Sequence, residues 1–187
     1  IGNNVVIGSK EHDNKGMVVV YEYDAPNWNQ KGNEKDGTSS NQKFGQNVSI
    51  NADGNMILVG KPLYSSDKGR ASAYKYNESD NQWKYWAYDC VLCESINNRR
   101  SGWSVALNAS GNTAAIGAPH KYTGGQKGRV SVWRQIQKDV SGDLLPTWTK
   151  IGNDIVGERN NGRFGWSVDI NAKGNIVAIG APNNDQI

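Results

Sequence analysis

The chain has 187 residues, 36% hydrophobic and 21% charged, with 22 Gly and 7 Trp against 2 Phe and 2 Met. Its apolar surface must be buried in short, frequent stretches: no apolar run approaches the ~20 residues of a membrane helix, and no basic-then-apolar leader opens the chain. A net charge of +3, with Lys and Arg scattered and no run of five like charges, lacks the concentrated basic face of a nucleic-acid binder.

From the N-terminus, Gly2-Asn3-Asn4-Val5-Val6-Ile7-Gly8 reads as a turn entering a strand. A polar loop with His12 and Asp13 leads to a second strand, Gly16-Met17-Val18-Val19-Val20-Tyr21, and a third surrounds Trp28. Next, Phe44-Gly45-Gln46-Asn47-Val48-Ser49-Ile50 alternates at period two, as a half-buried strand does. Asn51-Ala52-Asp53-Gly54-Asn55 supplies the Gly and Asn of a tight hairpin turn. The chain returns through Met56-Ile57-Leu58-Val59-Gly60-Lys61-Pro62, where proline ends ladder pairing. Strands follow at Gly69-Arg70-Ala71-Ser72-Ala73-Tyr74 and around Trp83. The same order recurs at Ser101-Gly102-Trp103-Ser104-Val105-Ala106-Leu107, at Gly111-Asn112-Thr113-Ala114-Ala115-Ile116-Gly117-Ala118-Pro119, at Gly128-Arg129-Val130-Ser131-Val132-Trp133 and around Trp148. It starts once more at Phe164-Gly165-Trp166-Ser167-Val168-Asp169-Ile170 and Gly174-Asn175-Ile176-Val177-Ala178-Ile179-Gly180-Ala181-Pro182. No segment keeps a 3.6-residue period, so the fold class is all-β.

The glycine that closes the second strand falls at Gly8, Gly60, Gly117 and Gly180, so the period lengthens from 52 to 57 to 63 residues as the loops grow. Four antiparallel strands repeated at about this interval fit the blades of a β-propeller. Each blade buries its apolar faces against its neighbours, which accounts for runs such as Ile176-Val177-Ala178-Ile179 that are apolar on both sides. The expected architecture is a partial propeller of about three to four blades: a blade part at 1–43, blades at 44–100 and 101–163, and a blade part at 164–187. Because both ends fall inside a blade and the chain starts at Ile1, it is expected to be a section of a longer polypeptide; the alternative is closure by association of several such chains.

At these residues the chain resembles the FG-GAP repeat family, the kind that builds the integrin α-subunit propeller. Phe44-Gly45 and Phe164-Gly165 match the first half of that name, Gly117-Ala118-Pro119 and Gly180-Ala181-Pro182 the second, with Gly128-Arg129-Val130-Ser131-Val132 in the following strand. The Asn-Ala-x-Gly-Asn turns are similar to those of tandem arrays in surface or secreted proteins of microbes and algae, and of relatives in large algal viruses. The resemblance covers essentially the whole chain and implies a non-catalytic surface or secreted module for protein or glycan binding. A structural component of a virion or extracellular assembly, in which neighbouring subunits are the partners, is the alternative it leaves open. The implied location is extracellular or cell-surface, or else the virion.

One departure concerns calcium. The family often carries an Asp-rich loop between the first two strands, but here Asp53 is the sole carboxylate across the three hairpin turns at 51–55, 108–112 and 171–175. Calcium prefers 6–8 oxygens, so no metal is expected there and no cofactor elsewhere. Cys90 and Cys93 form a single Cys-x-x-Cys, without the second pair of a structural zinc site or the helix start of a redox motif. Aligning Trp83 with Trp148 places Cys90 opposite Ile155, so packing or a local disulfide is the expectation. His12 and His120 are expected to be solvated loop residues, and no Gly-x-Ser-x-Gly elbow is present, so an enzyme is not expected.

Trp103 and Trp166 follow the family glycine on the innermost strand, where packing near the ring axis is expected ahead of a sugar platform. Trp28, Trp83 and Trp148 are expected to close blade edges, whereas Tyr85 and Trp86 break the pattern and are candidates for exposure. Of three Asn-x-Ser sequences, Asn47-Val48-Ser49 and Asn108-Ala109-Ser110 fall on an inner strand and a tight turn, where Asn is explained locally; Asn77-Glu78-Ser79, in a strand three-to-four loop, is the one credible glycosylation acceptor. Variable loops on a rigid scaffold are where binding concentrates. The candidate ligand contacts are therefore Asp13, Tyr64, Asp67, His120 and Tyr122 in the strand two-to-three loops. Arg99, Arg100, Glu158, Arg159 and Arg163, in the connections into the next blade, complete the set; these Arg-rich connections suit an acidic glycan or protein, and equally suit ordinary solvated turns.

Overall fold

The computed structural model describes residues 2–86, 92–93, 99–119, 125–141 and 143–184. Among these residues the chain forms sixteen strands in four sheets, and every pairing between those strands is antiparallel. Sheet one holds β1 (Asn4–Ser9), β2 (Met17–Asp24), β3 (Asn27–Gln30) and β4 (Lys35–Asp36). Sheet two holds β5 (Val48–Ile50), β6 (Met56–Lys61), β7 (Arg70–Asn77), β8 (Gln82–Tyr85) and β9 (Leu92–Cys93). Sheet three repeats that plan with β10 (Ser104–Leu107), β11 (Thr113–Ala118), β12 (Lys127–Val140), β13 (Asp143–Lys150) and β14 (Ile155–Asn160). Sheet four contributes β15 (Ser167–Ile170) and β16 (Val177–Gly180).

The first hairpin of sheets two, three and four is closed by an asparagine. Asn51 Oδ1 accepts from the backbone N–H of Asn55 (3.0 Å) and Met56 (2.8 Å). Asn108 Oδ1 accepts from Thr113 (2.9 Å), and Asn171 Oδ1 from Asn175 (3.0 Å) and Ile176 (3.1 Å). A side-chain amide thus satisfies backbone donors that the tight turn leaves over. These hairpins are linked in series across sheets, Ala52 N–H to the Ala109 carbonyl (3.0 Å) and Ala109 N–H to the Ala172 carbonyl (3.3 Å).

The outer edge differs from the single fourth strand expected at Trp28, Trp83 and Trp148. In three sheets it is two short strands on the same partner: β3 and β4 on β2, β8 and β9 on β7, β13 and β14 on β12. The break follows Lys31 and Ile151, where Gly32 (φ 75°) and Gly152 (φ 65°) take left-handed backbone that a strand cannot continue. Gly32 also lies against the next sheet: a Cβ there would stand 2.8 Å from Trp83 Cδ1.

Three apolar layers lie between successive sheets. Val18 and Val20 of sheet one meet Phe44, Ile57, Val59, Tyr74 and Trp83 of sheet two. Met56, Leu58, Ala71 and Ala73 on the rear of sheet two meet Val105, Leu107, Ala114, Ile116 and Trp148. Ala106, Ala115 and Val130 meet Ile170, with Phe164, Val168, Val177 and Ile179 half-buried around it. Covered on both faces, β6 is buried from Met56 to Lys61, the reason its sequence shows no polar alternation. Near the inner strands the sheets touch backbone to backbone. A Cβ on Gly8, Gly60 or Gly117 would lie 2.3, 2.0 or 2.2 Å from the carbonyl oxygen of Gly45, Gly102 or Gly165 in the next sheet.

Trp83 (1% exposed) and Trp148 (6%) close the outer edges as expected, whereas Trp28, with no sheet among the described residues in front of it, is 48% exposed. Tyr85 is half exposed, whereas Trp86 packs half-buried against the second apolar layer. Cys90 lies outside the described residues, and Cys93 is described only as backbone of β9. No helix among the described residues is long and apolar enough to cross a membrane.

Candidate functional site

One end of the sheets carries the strand two-to-three turns and the entries into the first strand of each sheet. Three cognate turns sit there: Lys43-Phe44-Gly45-Gln46, Arg100-Ser101-Gly102-Trp103 and Arg163-Phe164-Gly165-Trp166. Each starts on a cation in left-handed backbone, at φ 57°, 56° and 56°. The fourth N–H of each turn donates to the carbonyl of the first residue, at 3.1, 3.1 and 3.0 Å. Left-handed backbone on a side-chain-bearing residue costs about 1–2 kcal/mol, so this rim places its cations at an energetic cost offset by the packing beneath it.

The turn folds each cation back onto the fourth side chain. The Arg100 guanidinium lies 5.8 Å from the Trp103 ring centre and that of Arg163 4.9 Å from Trp166. The two indoles belong to neighbouring sheets yet stand 4.8 Å apart, tilted by 43°. The packing role expected of them is met, since each braces the other across two sheets, but Trp166 remains 37% exposed. The result is a continuous row, Arg100–Trp103–Trp166–Arg163, in which rings and guanidinium groups hold one another at distances where cation–π attraction operates.

Acidic side chains pair with two of the three turn cations, Arg100 and Lys43. Asp67 accepts the backbone N–H of Arg100 through its carbonyl (2.8 Å) and faces the Arg100 guanidinium at 3.6 Å. Lys43 Nζ donates to Glu11 (2.5 Å), and that hydrogen bond is the largest cause holding the Glu11 carboxyl below its ordinary pKa. Tyr64 lies under the Arg70 guanidinium at 4.1 Å, with Lys61 Nζ 5.6 Å away. Lys61 was no sequence candidate; it stands where two other repeats have Ala118 and Ala181, and it is 2% exposed. Its Nζ meets the Tyr85 hydroxyl (3.4 Å), which Arg70 (3.2 Å) and Ser72 (3.2 Å) also reach.

Of the sequence candidates, Tyr64, Asp67, Arg100 and Arg163 are on this rim. Arg99 adjoins it but is 8% exposed, which makes it a framework residue and not a surface contact. Asp13 stands in the short turn of sheet one, solvent-exposed beside His12 at 3.6 Å. Glu158 and Arg159 are not in a connecting loop: they belong to β14, which the pairing of Val156 with Arg129 and Asn160 with Lys127 draws into the outer edge of sheet three. His120 and Tyr122 lie outside the described residues. The cations at 43, 100 and 163 recur in phase in the sequence, a signal that aligning the turns one residue earlier would have caught.

The row offers flat apolar rings beside fixed guanidinium forks, a surface suited to stacking and to carboxylate or sulfate recognition. Among the described residues no group of three or more His, Cys, Asp or Glu comes together in a way that would hold a metal ion. No family model and no curated protein matches the chain. Among solved structures, hydrazine synthase of Kuenenia stuttgartiensis is similar with a TM-score of 0.48 and 14% identity, over 92% of this chain and 48% of that one. The chain therefore spans about half the length of that neighbour.

Proposed function

We propose that this chain is a non-catalytic binding module of an extracellular or cell-surface protein, built as FG-GAP-type blades of a β-propeller, and that its rim engages an acidic glycan or an acidic protein surface. The propeller reading is supported by successive sheets of one plan, joined hairpin to hairpin by Ala52–Ala109–Ala172 and layered face to face in chain order. The binding reading rests on the Arg100–Trp103–Trp166–Arg163 row. Guanidinium groups already ordered on rings lose less rotamer freedom on binding than mobile lysines. The partly exposed Trp166 indole within the row gives a sugar ring an apolar surface to lie on.

The test is binding of the purified chain to immobilised uronate-rich and sulfated polysaccharides, with neutral dextran as control. Binding that weakens with salt and weakens at least tenfold, about 1.4 kcal/mol, in the double variant Arg100→Gln/Arg163→Gln is expected. Equal affinity of that variant, or equal retention on dextran, would show that the rim is not an anion-reading surface.

A further inference from the structure

The opposite end of the sheets carries a chemistry of its own. Three Asn-x-Ser sequences without proline at the middle position occur in the chain, and the structure treats them differently. Asn47 and Ser49 are spent between sheets two and three: Asn47 Oδ1 accepts Val105 N–H (2.7 Å) and Ser49 Oγ accepts Leu107 N–H (3.0 Å). Asn108 is 3% exposed, with its amide committed to Thr113, Ser110 and Asn112. Asn77 is the last residue of β7, half-buried, and leads into the exposed turn 78–80.

There the asparagine and serine are already arranged around each other. Asn77 Oδ1 accepts both the backbone N–H of Ser79 (3.0 Å) and its hydroxyl (2.7 Å). Both bonds end on the oxygen, so they draw electron density from the carboxamide and make its Nδ2 protons more acidic. The turn is held independently by Tyr76 Oη donating to Asn81 Oδ1 (2.6 Å) and by the Lys84–Asp80 ion pair. Beside it lies a groove of about 530 Å³, lined among others by Asn55, Lys75, Tyr76, Asn77, Lys84 and Trp86. That volume falls in the range of small-ligand sites, and its amides, amines and aromatic edges are groups that hydrogen-bond and stack with sugars.

We propose that Asn77 is an N-glycan acceptor whose first sugars lie along this groove. In the transfer, Asn77 Nδ2 attacks C1 of a sugar carried on a lipid-linked diphosphate. The Nδ2–C1 bond forms, the bond from C1 to the diphosphate oxygen breaks, the diphosphate leaves with the electron pair, and the proton that the amide gives up passes through a base of the transferase to the departing diphosphate. Seven residues along β7 separate Asn77 from Arg70, a distance of about 23 Å at the usual strand rise, so the glycan projects from the end away from the rim and leaves it open. The proposal rests on the extracellular reading only in that a native acceptor must meet the secretory transferase.

The experiment is secretion of the 187-residue chain from a glycosylating eukaryotic cell, followed by intact mass before and after enzymatic removal of N-glycans in ¹⁸O water. One glycan-sized mass step is expected, leaving ¹⁸O-labelled aspartate at position 77. The step should vanish in Asn77→Gln and in Ser79→Ala, survive in Ser49→Ala and Ser110→Ala, and reach fuller occupancy in Ser79→Thr. Bacterial, unglycosylated protein with the same circular dichroism serves as the fold control. A folded, secreted chain without glycan, or a glycan that persists in Asn77→Gln, overturns the proposal. Polysaccharide binding by glycosylated and bare protein is measured in parallel, so failure of the rim reading would appear with the glycan in place.

Discussion

Sheets one and two present the same face in two conditions. In sheet two, Ile57, Val59 and Trp83 are at most 1% exposed. Their counterparts in sheet one, Val5, Ile7 and Trp28, are 40%, 48% and 48% exposed and line an apolar groove of about 320 Å³ together with Tyr21. Residue type and strand position are alike; what differs is a sheet in front. Burial here is conferred by the neighbouring layer, as expected where each repeat cannot cover its own faces.

The sharpest way to break the comparison is to remove the matching tryptophans. Trp83 packs in the first apolar layer, donates its indole N–H to the Lys31 carbonyl (2.8 Å) and donates its backbone N–H to Asn33 Oδ1 (2.8 Å). Trp83→Ala is expected to cost about 3–5 kcal/mol in urea denaturation. Trp28 is 48% exposed and meets the Tyr23 ring at 5.2 Å between centres, so Trp28→Ala is expected to cost about 1 kcal/mol or less. Equal costs would mean that the first apolar layer does not depend on the sheet-to-sheet contact.

A smaller effect tests the backbone contact. Gly60 and Gly180 end cognate strands, but a Cβ on Gly60 meets the Gly102 carbonyl oxygen at 2.0 Å, whereas on Gly180 it meets only the Ser167 hydroxyl at 2.2 Å. A hydroxyl rotates away, and a carbonyl fixed in the next sheet cannot. Gly60→Ala is expected to destabilise by about 1–3 kcal/mol and Gly180→Ala by clearly less, read as the shift in denaturation midpoint. A Gly180→Ala penalty as large as that of Gly60→Ala would remove the role assigned to the inter-sheet approach.

These contrasts mark what the sequence could and could not tell. The all-β, antiparallel character was legible because alternation in 44–50 and 164–170, the Asn-Gly turns and the doubly apolar Met56–Lys61 are local signals. The divided outer edge was not, because Gly32 and Gly152 read equally well as ordinary loop glycines until their φ angles are known. Trp28 holds the strand position that Trp83 holds in sheet two, but a periodic motif reports the position in a repeat and not the exposure, which depends on whether a sheet stands in front. At the rim, Tyr64, Asp67, Arg100 and Arg163 were found by loop position, but the stacking of Trp103 on Trp166 joins residues 63 positions apart. Lys61 escaped notice because a lysine in an apolar strand looks like an exposed end; only packing shows it 2% exposed.

Lys61 also sets the smallest and most specific difference between the two sheets. In sheet two, Lys61 pairs with Arg70 and Tyr74 with Tyr85; the same positions of sheet one hold Ser9, Met17, Tyr21 and Gln30. Burial alone would raise the pKa of the Tyr85 phenol, but the Ser72 hydroxyl, the Lys61 charge, a hydrogen bond with Tyr74 and the Arg70 charge outweigh it and bring it down to about 8. An unfolded tyrosine titrates near 10, so between about pH 8 and 10 the unfolded chain binds more protons and stability rises with pH. The contribution is complete above about pH 10 and lost as the pH falls through 8. Because Tyr85 is half exposed, solvent screening should hold the gain below about 1 kcal/mol. Ultraviolet titration of the folded chain is expected to show one phenol ionising ahead of the others, absent in Tyr85→Phe. Urea midpoints at about pH 7 and about pH 9.5 should then show the wild type gaining on Tyr85→Phe at the higher pH. A parallel response of the two proteins would mean that the cations beside Tyr85 are neutralised within the fold and that sheet two differs from sheet one in packing alone.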